Sequence, residues 1–393
     1  MSGRVLHVVK VAGISGAENH LLLLLPALRE RGWDVAAVML HDGEPGAEDF
    51  AARLEADGVP VERVRLPRAF DPGAFTRILR RARRDRPDVL HTHLVHADFH
   101  GLPAGRLARV PVLVSTKHGF NAFRDRKAFA IADRTVASLA DVHVAISAGL
   151  ARYLAESEGF DAASFEVVHY GIEARAEPPP LPGAPRLAIV GRLIPIKGHD
   201  VLLRAVARAR ERLPGLTLEI AGDGELEAEL RATATRLGLD DAVTFLGRVA
   251  PVDPVLERAE VVVVPSFGEG FGMVALEAME RGRPVIASDV GGLPEIVDEG
   301  RTGMLVPPGD VEALARAIAE LADDPARAAA MGEAGRTRAL EEFSQDRCTE
   351  RIAALYETAL GAGGERRFRR RSLQARSSAK AASSASTKSH GAR

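Results

Sequence analysis

Two glutamates flank a glycine-rich segment in the second half of the chain. Residues 265–277 read Pro-Ser-Phe-Gly-Glu-Gly-Phe-Gly-Met-Val-Ala-Leu-Glu, and the apolar run Val261–Val264 before them is typical of a buried strand. The glycines let the backbone turn sharply into a helix, whose first free amides favour an anion such as phosphate. The carboxylates of Glu269 and Glu277 can accept hydrogen bonds from sugar or ribose hydroxyls. The segment therefore predicts a site for a phosphorylated sugar compound, against the plainer interpretation of a tight turn with two surface glutamates.

Two cations follow the first strand of the same half. Arg192 and Lys197 come after the apolar run Leu187–Val190. Guanidinium and ammonium groups at the carboxyl end of a strand can clamp a diphosphate, although an isolated Arg-x4-Lys is usually solvated surface. Near the start of the chain, Gly13–Glu18 adds a glycine turn before a helix, but it lacks the Gly-x-Gly-x-x-Gly pattern of dinucleotide sites. The pattern favours a bound diphosphate over a bound dinucleotide.

Histidines gather where strands end. His91 and His93 stand two residues apart, which places both side chains on one face of a strand. No cysteine or carboxylate repeats nearby at metal-ligand spacing, so we expect a hydrogen-bonded structural pair and no metal site. His118 differs, because it follows the strand Val112–Ser115 and precedes Gly119. From that position it can contact a substrate hydroxyl.

The elements that carry these residues alternate between strands and helices along the whole chain. Continuous apolar strands separated by helices predict parallel sheets covered on both faces. Five prolines between positions 178 and 185 break the alternation and predict a linker. We therefore expect two Rossmann-like α/β domains, over 1–177 and 186–345, with a ligand cleft at the carboxyl ends of their strands. A helix over 346–360 is expected to return to the first domain.

Composition bounds the remaining classes. The chain has 393 residues, of which 46% are hydrophobic and 27% charged, and its formal net charge is −2; this excludes a wholly disordered chain and gives no sign of nucleic-acid binding. The single cysteine, Cys348, excludes a disulfide framework. Neither a membrane-spanning run nor a signal peptide is visible, so we expect a cytoplasmic protein. Residues 361–393 carry nine basic side chains against Glu365 alone, and this composition predicts a disordered tail.

Taken in chain order, these motifs resemble those of the GT4 family. Its members are retaining glycosyltransferases of GT-B architecture, in which two Rossmann-like domains with parallel sheets face a central cleft. The resemblance runs from about Val5 to Leu360, and the Glu-x7-Glu segment is its most specific part. Its carriers are Gly13–Glu18, His91-Thr92-His93, Lys117-His118-Gly119, His169-Tyr170-Gly171-Ile172, Gly191-Arg192-Leu193, Lys197-Gly198 and Glu269–Glu277.

The resemblance implies a role for each candidate residue. Arg192 and Lys197 would bind the donor diphosphate and stabilise its charge as it leaves, without a metal or any other cofactor. Glu277 would hold the ribose hydroxyls, while Glu269 and His118 would contact the donor sugar. The other donor contacts implied are Gly16, Gly270, Phe271 and Gly272 at the phosphates and sugar, and Arg248 and Val249 at the nucleobase.

The implied substrates are a nucleotide-diphospho-sugar, most often a UDP-sugar, and a hydroxyl acceptor on a glycan or a lipid-linked molecule. Arginines crowd the segment Arg63–Arg86, in which Phe75–Arg84 predicts an amphipathic helix. Such a helix either rests on an anionic membrane or packs its apolar stripe on the sheet. The basic tail offers a further membrane contact, so we expect peripheral attachment at the inner face of the cell membrane. A GT-B sugar-nucleotide epimerase and a non-catalytic nucleotide-sugar binder stay open as alternatives.

Overall fold

The computed structural model describes residues 3–120 and 127–362. The first domain alternates strands and helices from its first strand onward. Its elements are β1 (Arg4–Lys10), α1 (Gly16–Glu30), β2 (Asp34–His41), α2 (Pro45–Ala56), β3 (Val61–Arg65), α3 (Pro72–Asp85), β4 (Val89–His93), α4 (Val95–Ala108), β5 (Val112–Lys117), α5 (Lys127–Ala137), β6 (Val142–Ala145), α6 (Ala148–Glu158) and β7 (Phe165–Val167).

The second domain repeats this alternation and ends in three consecutive helices. Its elements are β8 (Arg186–Val190), α7 (His199–Arg210), β9 (Thr217–Ala221), α8 (Glu227–Arg236), β10 (Val243–Gly247), α9 (Asp253–Arg258), β11 (Val261–Val264), α10 (Met273–Glu280), β12 (Val285–Ser288), α11 (Leu293–Ile296), β13 (Gly303–Val306), α12 (Val311–Asp323) and α13 (Pro325–Glu342). A last helix, α14, covers residues 345–362.

Each domain is built on one parallel sheet. The first sheet has seven strands in the order β3-β2-β1-β4-β5-β6-β7, and the second has six in the order β10-β9-β8-β11-β12-β13. Every residue of β4, β5, β11 and β12 is buried, as expected for strands covered by helices on both faces. In both sheets the strand order reverses beside the first strand of the domain, which is where doubly wound sheets open a crevice for ligands. The predicted pair of parallel-sheet α/β domains is confirmed.

The chain crosses between the domains twice. After β7 it runs through residues 168–185, and the stretch 178–185 forms neither helix nor strand. It returns after α13, where Ile172 and Ser344 form an isolated parallel bridge. Helix α14 then packs on the first sheet, because Ile352 and Tyr356 belong to the same buried cluster as Val5 of β1. The last helix therefore closes the core of the first domain.

Helix α3 packs its apolar stripe inward. Ile78 is fully buried in the cluster beneath the helix, and Phe75 and Leu79 pack against that cluster. The helix begins where the Asp71 carboxylate accepts a hydrogen bond from the amide of Ala74, which is a typical N-cap. Of the two interpretations given above, packing on the domain is therefore the right one for this stripe.

Within the described ranges, no helix combines the length and the apolar character needed to cross a membrane. The basic tail predicted to be disordered lies outside the described residues from position 363 onward.

Candidate active site between the two domains

A cavity of about 420 Å³ opens between the two domains, at the carboxyl ends of strands from both sheets. The first domain lines it with the N-terminus of α1 and with residues that follow β5. The second domain lines it with residues after β8 and with the segment between β11 and α10. The predicted site residues that the structure brings together here are Gly16, His118, Arg192, Lys197, Glu269, Gly270, Phe271 and Gly272.

The glycine-rich segment fits this position because side chains would prevent it. Gly272 precedes α10 with a φ of +118°, and a Cβ there would lie 2.7 Å from Cδ2 of Leu293. A Cβ on Gly270 would lie 3.0 Å from Cα of Gly119, in the other domain. The turn thus lets the two domains approach each other and aims the first amides of α10, which have no partner inside the helix, toward the cavity. These amides and the helix dipole favour a bound anion.

Hydrogen bonds across the domain boundary support the same turn. The Ser147 hydroxyl, at the start of α6, donates to the carbonyl of Gly270 over 2.6 Å. Glu295 of the second domain accepts hydrogen bonds from the amides of Ala148 and Gly149 at 2.9 and 2.8 Å, and from Nε2 of His169 at 2.9 Å. Burial alone would raise the pKa of Glu295, but these hydrogen bonds hold it below its usual range. His169, singled out in the sequence, therefore joins the domains and does not line the cavity.

Two oppositely charged groups meet at the cavity wall. Nζ of Lys197 lies 2.5 Å from Oε2 of Glu269, and both side chains are largely shielded from solvent. Their charges cancel, so the exposed guanidinium of Arg192 is the uncompensated charge among these three groups. An incoming diphosphate can replace water at the Arg192 guanidinium and form an ion pair with Lys197 in place of Glu269. Glu269 is then free to accept hydrogen bonds from sugar hydroxyls.

Besides Glu269, a second carboxylate lines the cavity, and the sequence analysis did not propose it as a site residue. Glu18 lies in the first turn of α1, is buried, and accepts hydrogen bonds from the amide and the hydroxyl of Ser15 at 3.1 and 2.5 Å. Burial raises the pKa of Glu18 against these hydrogen bonds and the charge of Arg192. The signal was present as Ser15-x-x-Glu18, the capping-box spacing at a helix start. This box orders the turn that carries Gly16.

His118 lies at the cavity wall as predicted, but both of its ring nitrogens already have partners. Nδ1 lies 2.5 Å from the hydroxyl of Tyr170, and Nε2 lies 3.0 Å from Nδ1 of His93. Burial, together with the neighbouring His20 and Lys117, holds the pKa of His118 well below its usual range. The ring is therefore neutral and can offer one donor and one acceptor. Tyr170, which lines the cavity beside it, was not proposed as a site residue.

The residue before His118 anchors the strand end. Nζ of Lys117 lies 2.7 Å from a carboxylate oxygen of Asp98 on α4 and 3.2 Å from one of Asp133 on α5, and all three side chains are fully buried. A buried cation with two carboxylates binds the end of β5 to both helices, and removing one partner of such a group is costly. Lys117 thus fixes the position of the backbone from which the His118 side chain extends.

His91 and His93 are joined by a third histidine from the neighbouring strand. Side-chain nitrogens of His7, His91 and His93 lie within 4.8 Å of one another, which makes them the described group closest to a metal-ligand set. Their nitrogens are used otherwise: Nδ1 of His7 pairs with Nε2 of His93 at 2.9 Å, and His91 pairs with Tyr356 and Thr116, each at 2.6 Å. The hydrogen-bonded arrangement expected for His91 and His93 is present, with His7 as an added member.

The residues predicted to hold the nucleoside belong to the second domain but lie outside the cavity lining. Glu277, Arg248 and Val249 are not among the described residues that line the cavity. Val249 packs against the buried cluster that includes Leu276 of α10, the helix that carries Glu277. Burial raises the pKa of Glu277 to about 7, with Asp253 and Glu280 adding to the effect and Arg175 opposing it. A carboxylate that is this costly to ionise is typical of a position that a ligand completes.

Comparisons with known proteins give the same architecture. The family model "Glycosyl transferase 4-like domain" matches residues 15–171, and "Glycosyl transferases group 1" matches residues 184–324. The structure of Anabaena Alr3699/HepE in complex with UDP-glucose superposes with a TM-score of 0.79 at 24% identity, covering 91% of this chain and 100% of that one. At that identity the likeness shows the fold.

Relatives at higher identity are named glycosyltransferases. The glycogen synthase of Mycobacterium tuberculosis (strain H37Rv) is 33% identical over 382 residues, covering 87% of this chain and 91% of that protein. The D-inositol 3-phosphate glycosyltransferase of Nocardia farcinica is 35% identical over 288 residues, covering 65% and 64%. With both domains matched in order, and the family's motifs gathered at one interdomain cavity, the chain belongs to the GT4 family of glycosyltransferases with the GT-B fold.

Proposed function

We propose that this glycosyltransferase moves a sugar from a UDP-sugar to a hydroxyl acceptor in glycan or glycolipid biosynthesis, with retention of the anomeric configuration. One observation carries the proposal: Arg192, Lys197 and the N-terminus of α10 converge on the same cavity as Glu269 and His118. Cations and helix amides suit a diphosphate, while a carboxylate and a neutral imidazole suit sugar hydroxyls. The UDP-glucose complex of the Anabaena protein supports uridine as the nucleoside.

The chemical role of the cavity follows from where charge develops. As the bond between sugar and phosphate breaks, negative charge grows on the leaving diphosphate. Arg192, Lys197 and the first amides of α10 are fixed beside that position and stabilise the charge most in the transition state. The released phosphate oxygen is then the base nearest to an acceptor hydroxyl that approaches from the same face, which gives retention. In this mechanism the two cations take the place that a metal ion would occupy, so we propose metal-independent turnover.

The acceptor is proposed to enter beside the donor. A second cavity of about 850 Å³ adjoins the first and shares Phe120, Arg192, Ile196 and Gly268 with it. Its wall carries two exposed apolar side chains, Phe267 and Ile196, and contiguous exposed apolar surface marks binding grooves. An acceptor that carries an apolar portion next to its hydroxyl fits this lining, and lipid-linked acceptors are of this kind.

We also propose a cytoplasmic protein that associates with the inner face of the membrane through charge. Arg77, Arg80 and Arg83 are exposed on α3, while the apolar stripe of the helix is used inside the domain. The helix can therefore attract anionic lipid but has no free apolar face to insert, so each arginine contributes about 1 kcal/mol at most. Vesicles with and without phosphatidylserine test this attraction.

A thermal-shift panel of UDP-, GDP- and ADP-glucose tests the proposed donor. A ligand at 100 times its dissociation constant adds about 2.7 kcal/mol of stability, so UDP-glucose is expected to raise the melting temperature by several degrees. Lys197→Ala should lose this shift, whereas Arg208→Ala, which removes an exposed cation on α7 that pairs with Glu211, should keep it. A shift with GDP- or ADP-glucose alone would contradict the UDP assignment. Formation of a new UDP-sugar from UDP-glucose would instead indicate an epimerase.

A further inference from the structure

Four side chains form a continuous hydrogen-bonded row from the core to the cavity. Nδ1 of His7 on β1 lies 2.9 Å from Nε2 of His93 on β4. Nδ1 of His93 lies 3.0 Å from Nε2 of His118, and Nδ1 of His118 lies 2.5 Å from the hydroxyl of Tyr170. We name these four residues the imidazole chain. His118 and Tyr170 line the cavity, whereas His7 and His93 lie fully behind it.

All the hydrogen bonds of the imidazole chain must run from donor to acceptor in the same direction. Burial holds the pKa of all three histidines below the ordinary value, so each ring is neutral and carries a single N–H. A contact between two neutral imidazoles is an N–H donating to a bare nitrogen. If donor and acceptor exchange roles in one of these hydrogen bonds, they must exchange roles in the others as well. The two possible states therefore place the proton of His118 either on Nδ1, facing Tyr170, or on Nε2, facing His93.

The far end of the chain favours one of these states. Nε2 of His7 is buried and has no hydrogen-bond partner among the described residues. If the chain pointed inward, this atom would be an orphaned N–H, which is rarer in folded proteins than an unfilled acceptor. If the imidazole chain points outward, this nitrogen is a bare lone pair and every N–H has an acceptor, while the hydroxyl proton of Tyr170, a residue that lines the cavity, is left for an acceptor there. The outward state places the protons on Nδ1 of His7, of His93 and of His118.

We propose that His93, backed by His7, is a positioning residue that holds His118 in the Nδ1–H tautomer and presents this N–H to the donor sugar. Tyr170 is the partner of that N–H on the cavity side, so a sugar hydroxyl oxygen takes the place that the Tyr170 oxygen occupies in the free protein. This role of the sugar contact rests on the proposed function. The tautomer itself does not, because it follows from the imidazole chain alone.

His91 provides a matched control. It lies on the same strand and face as His93, its ring centroid is 4.1 Å from that of His93, and both rings are buried. Its nitrogens, however, bond to Tyr356 of α14 and Thr116 of β5, away from His118. A purely structural loss should therefore be similar for His91→Phe and His93→Phe. A loss that passes through His118 should appear in His93→Phe alone.

The tautomer of His118 can be read directly by nitrogen-15 NMR on protein labelled in its histidines, because protonated and bare ring nitrogens resonate far apart. The spectrum of His118→Gln identifies the His118 signals. In the wild-type protein at neutral pH we expect the proton on Nδ1. A wild-type His118 with its proton on Nε2 would overturn the proposal, whether or not the protein binds a nucleotide sugar.

Binding of UDP and UDP-glucose by calorimetry then tests the consequence for the sugar. His93→Phe should leave UDP affinity unchanged and weaken UDP-glucose about fivefold, the equivalent of about 1 kcal/mol. His93→Asn should restore most of the loss, since its amide takes the place of Nδ1 and still reaches His118. His91→Phe should change neither affinity. Equal losses in His91→Phe and His93→Phe, or an unchanged preference for UDP-glucose in a folded His93→Phe protein, would refute the role of His93. A wild-type protein that binds neither ligand would refute the proposed function and leave the tautomer result standing.

Discussion

Replacing Glu277 by glutamine should stabilise the free protein and lower its affinity for the donor. Burial raises the pKa of Glu277 from its ordinary 4.5 to about 7. Below pH 4.5 the carboxyl group is protonated in the folded and the unfolded chain and has no effect. Between pH 4.5 and 7 the unfolded chain releases this proton while the folded chain keeps it, so stability falls as pH rises. Above pH 7 the full cost persists.

The size of this cost sets the expected gain. A change in pKa from 4.5 to about 7 corresponds to a free-energy cost of roughly 3 kcal/mol, since a difference of one in pKa corresponds to about 1.36 kcal/mol. Glu277→Gln removes the ionisation, so the variant should unfold with a free energy up to about 3 kcal/mol higher than the wild type at pH 8. The two proteins should be equally stable near pH 4. A gain of stability at a ligand site accompanied by a loss of function is the usual trade-off.

Donor affinity should change in the opposite sense. If the ionised carboxylate accepts the ribose hydroxyls, about one wild-type molecule in ten is ready to bind at pH 6 and nine in ten at pH 8, so affinity should rise about tenfold over this range. UDP-glucose is the right ligand for calorimetry, because its diphosphate has no proton that titrates here. Glu277→Gln should bind at least about tenfold more weakly at pH 8, with no such rise, and Glu277→Ala should fold and bind no better. Wild-type affinity that is flat from pH 6 to 8, or a glutamine variant no more stable at pH 8, would refute this assignment.

Four further predictions concern a metal requirement, the basic tail, a close contact between the domains and a buried hydrogen bond. Turnover should be unchanged in EDTA, and a loss that magnesium or manganese restores would reveal a metal requirement. Truncation after Ala362 should leave the melting temperature and UDP affinity unchanged and at most reduce binding to anionic vesicles; a drop of several degrees would mean that the tail packs on the domains. Gly149→Ala should destabilise the protein by at least about 1 kcal/mol and separate the domains, because a Cβ there would lie 2.0 Å from the carbonyl oxygen of Gly291; small-angle scattering with an unchanged radius of gyration would argue against it. Tyr356→Phe leaves Nδ1 of the buried His91 without its partner and should lower the free energy of unfolding by about 1–3 kcal/mol in chemical denaturation, whereas an unchanged value would mean that this hydrogen bond contributes little.

Local patterns were enough to predict the fold and much of the cavity. Continuous apolar strands such as Val261–Val264 are buried on both faces, and this burial is what forces the sheet to be parallel and covered. The glycine spacing around Gly272 predicts the sharp turn into α10, because no other residue tolerates that backbone conformation beside Leu293. These features depend on neighbours in the chain, so the sequence displays them.

Contacts between distant segments could not be read in the same way. The pairing of Lys197 with Glu269, the hydrogen bonds from Ala148 and Gly149 to Glu295, and the bond between His7 and His93 each join residues more than 70 positions apart. The first and the last depend on strand order within one sheet, and the hydrogen bonds to Glu295 depend on how the two domains meet. No local spacing encodes either. His7 carries no sequence signal at all, since it becomes a neighbour of His93 only once β1 and β4 lie side by side.

The measurement that tests the central proposal most directly is a proton NMR time course of UDP-glucose with a stoichiometric amount of the protein and no acceptor. Water then takes the place of the acceptor hydroxyl, and the anomeric signals report both transfer and stereochemistry before the free sugar equilibrates. Retaining transfer in the interdomain cavity predicts that UDP and α-glucose appear first, and that Lys197→Ala slows their release. First appearance of β-glucose would contradict retention, and conversion of UDP-glucose into another UDP-sugar would contradict the proposed transfer.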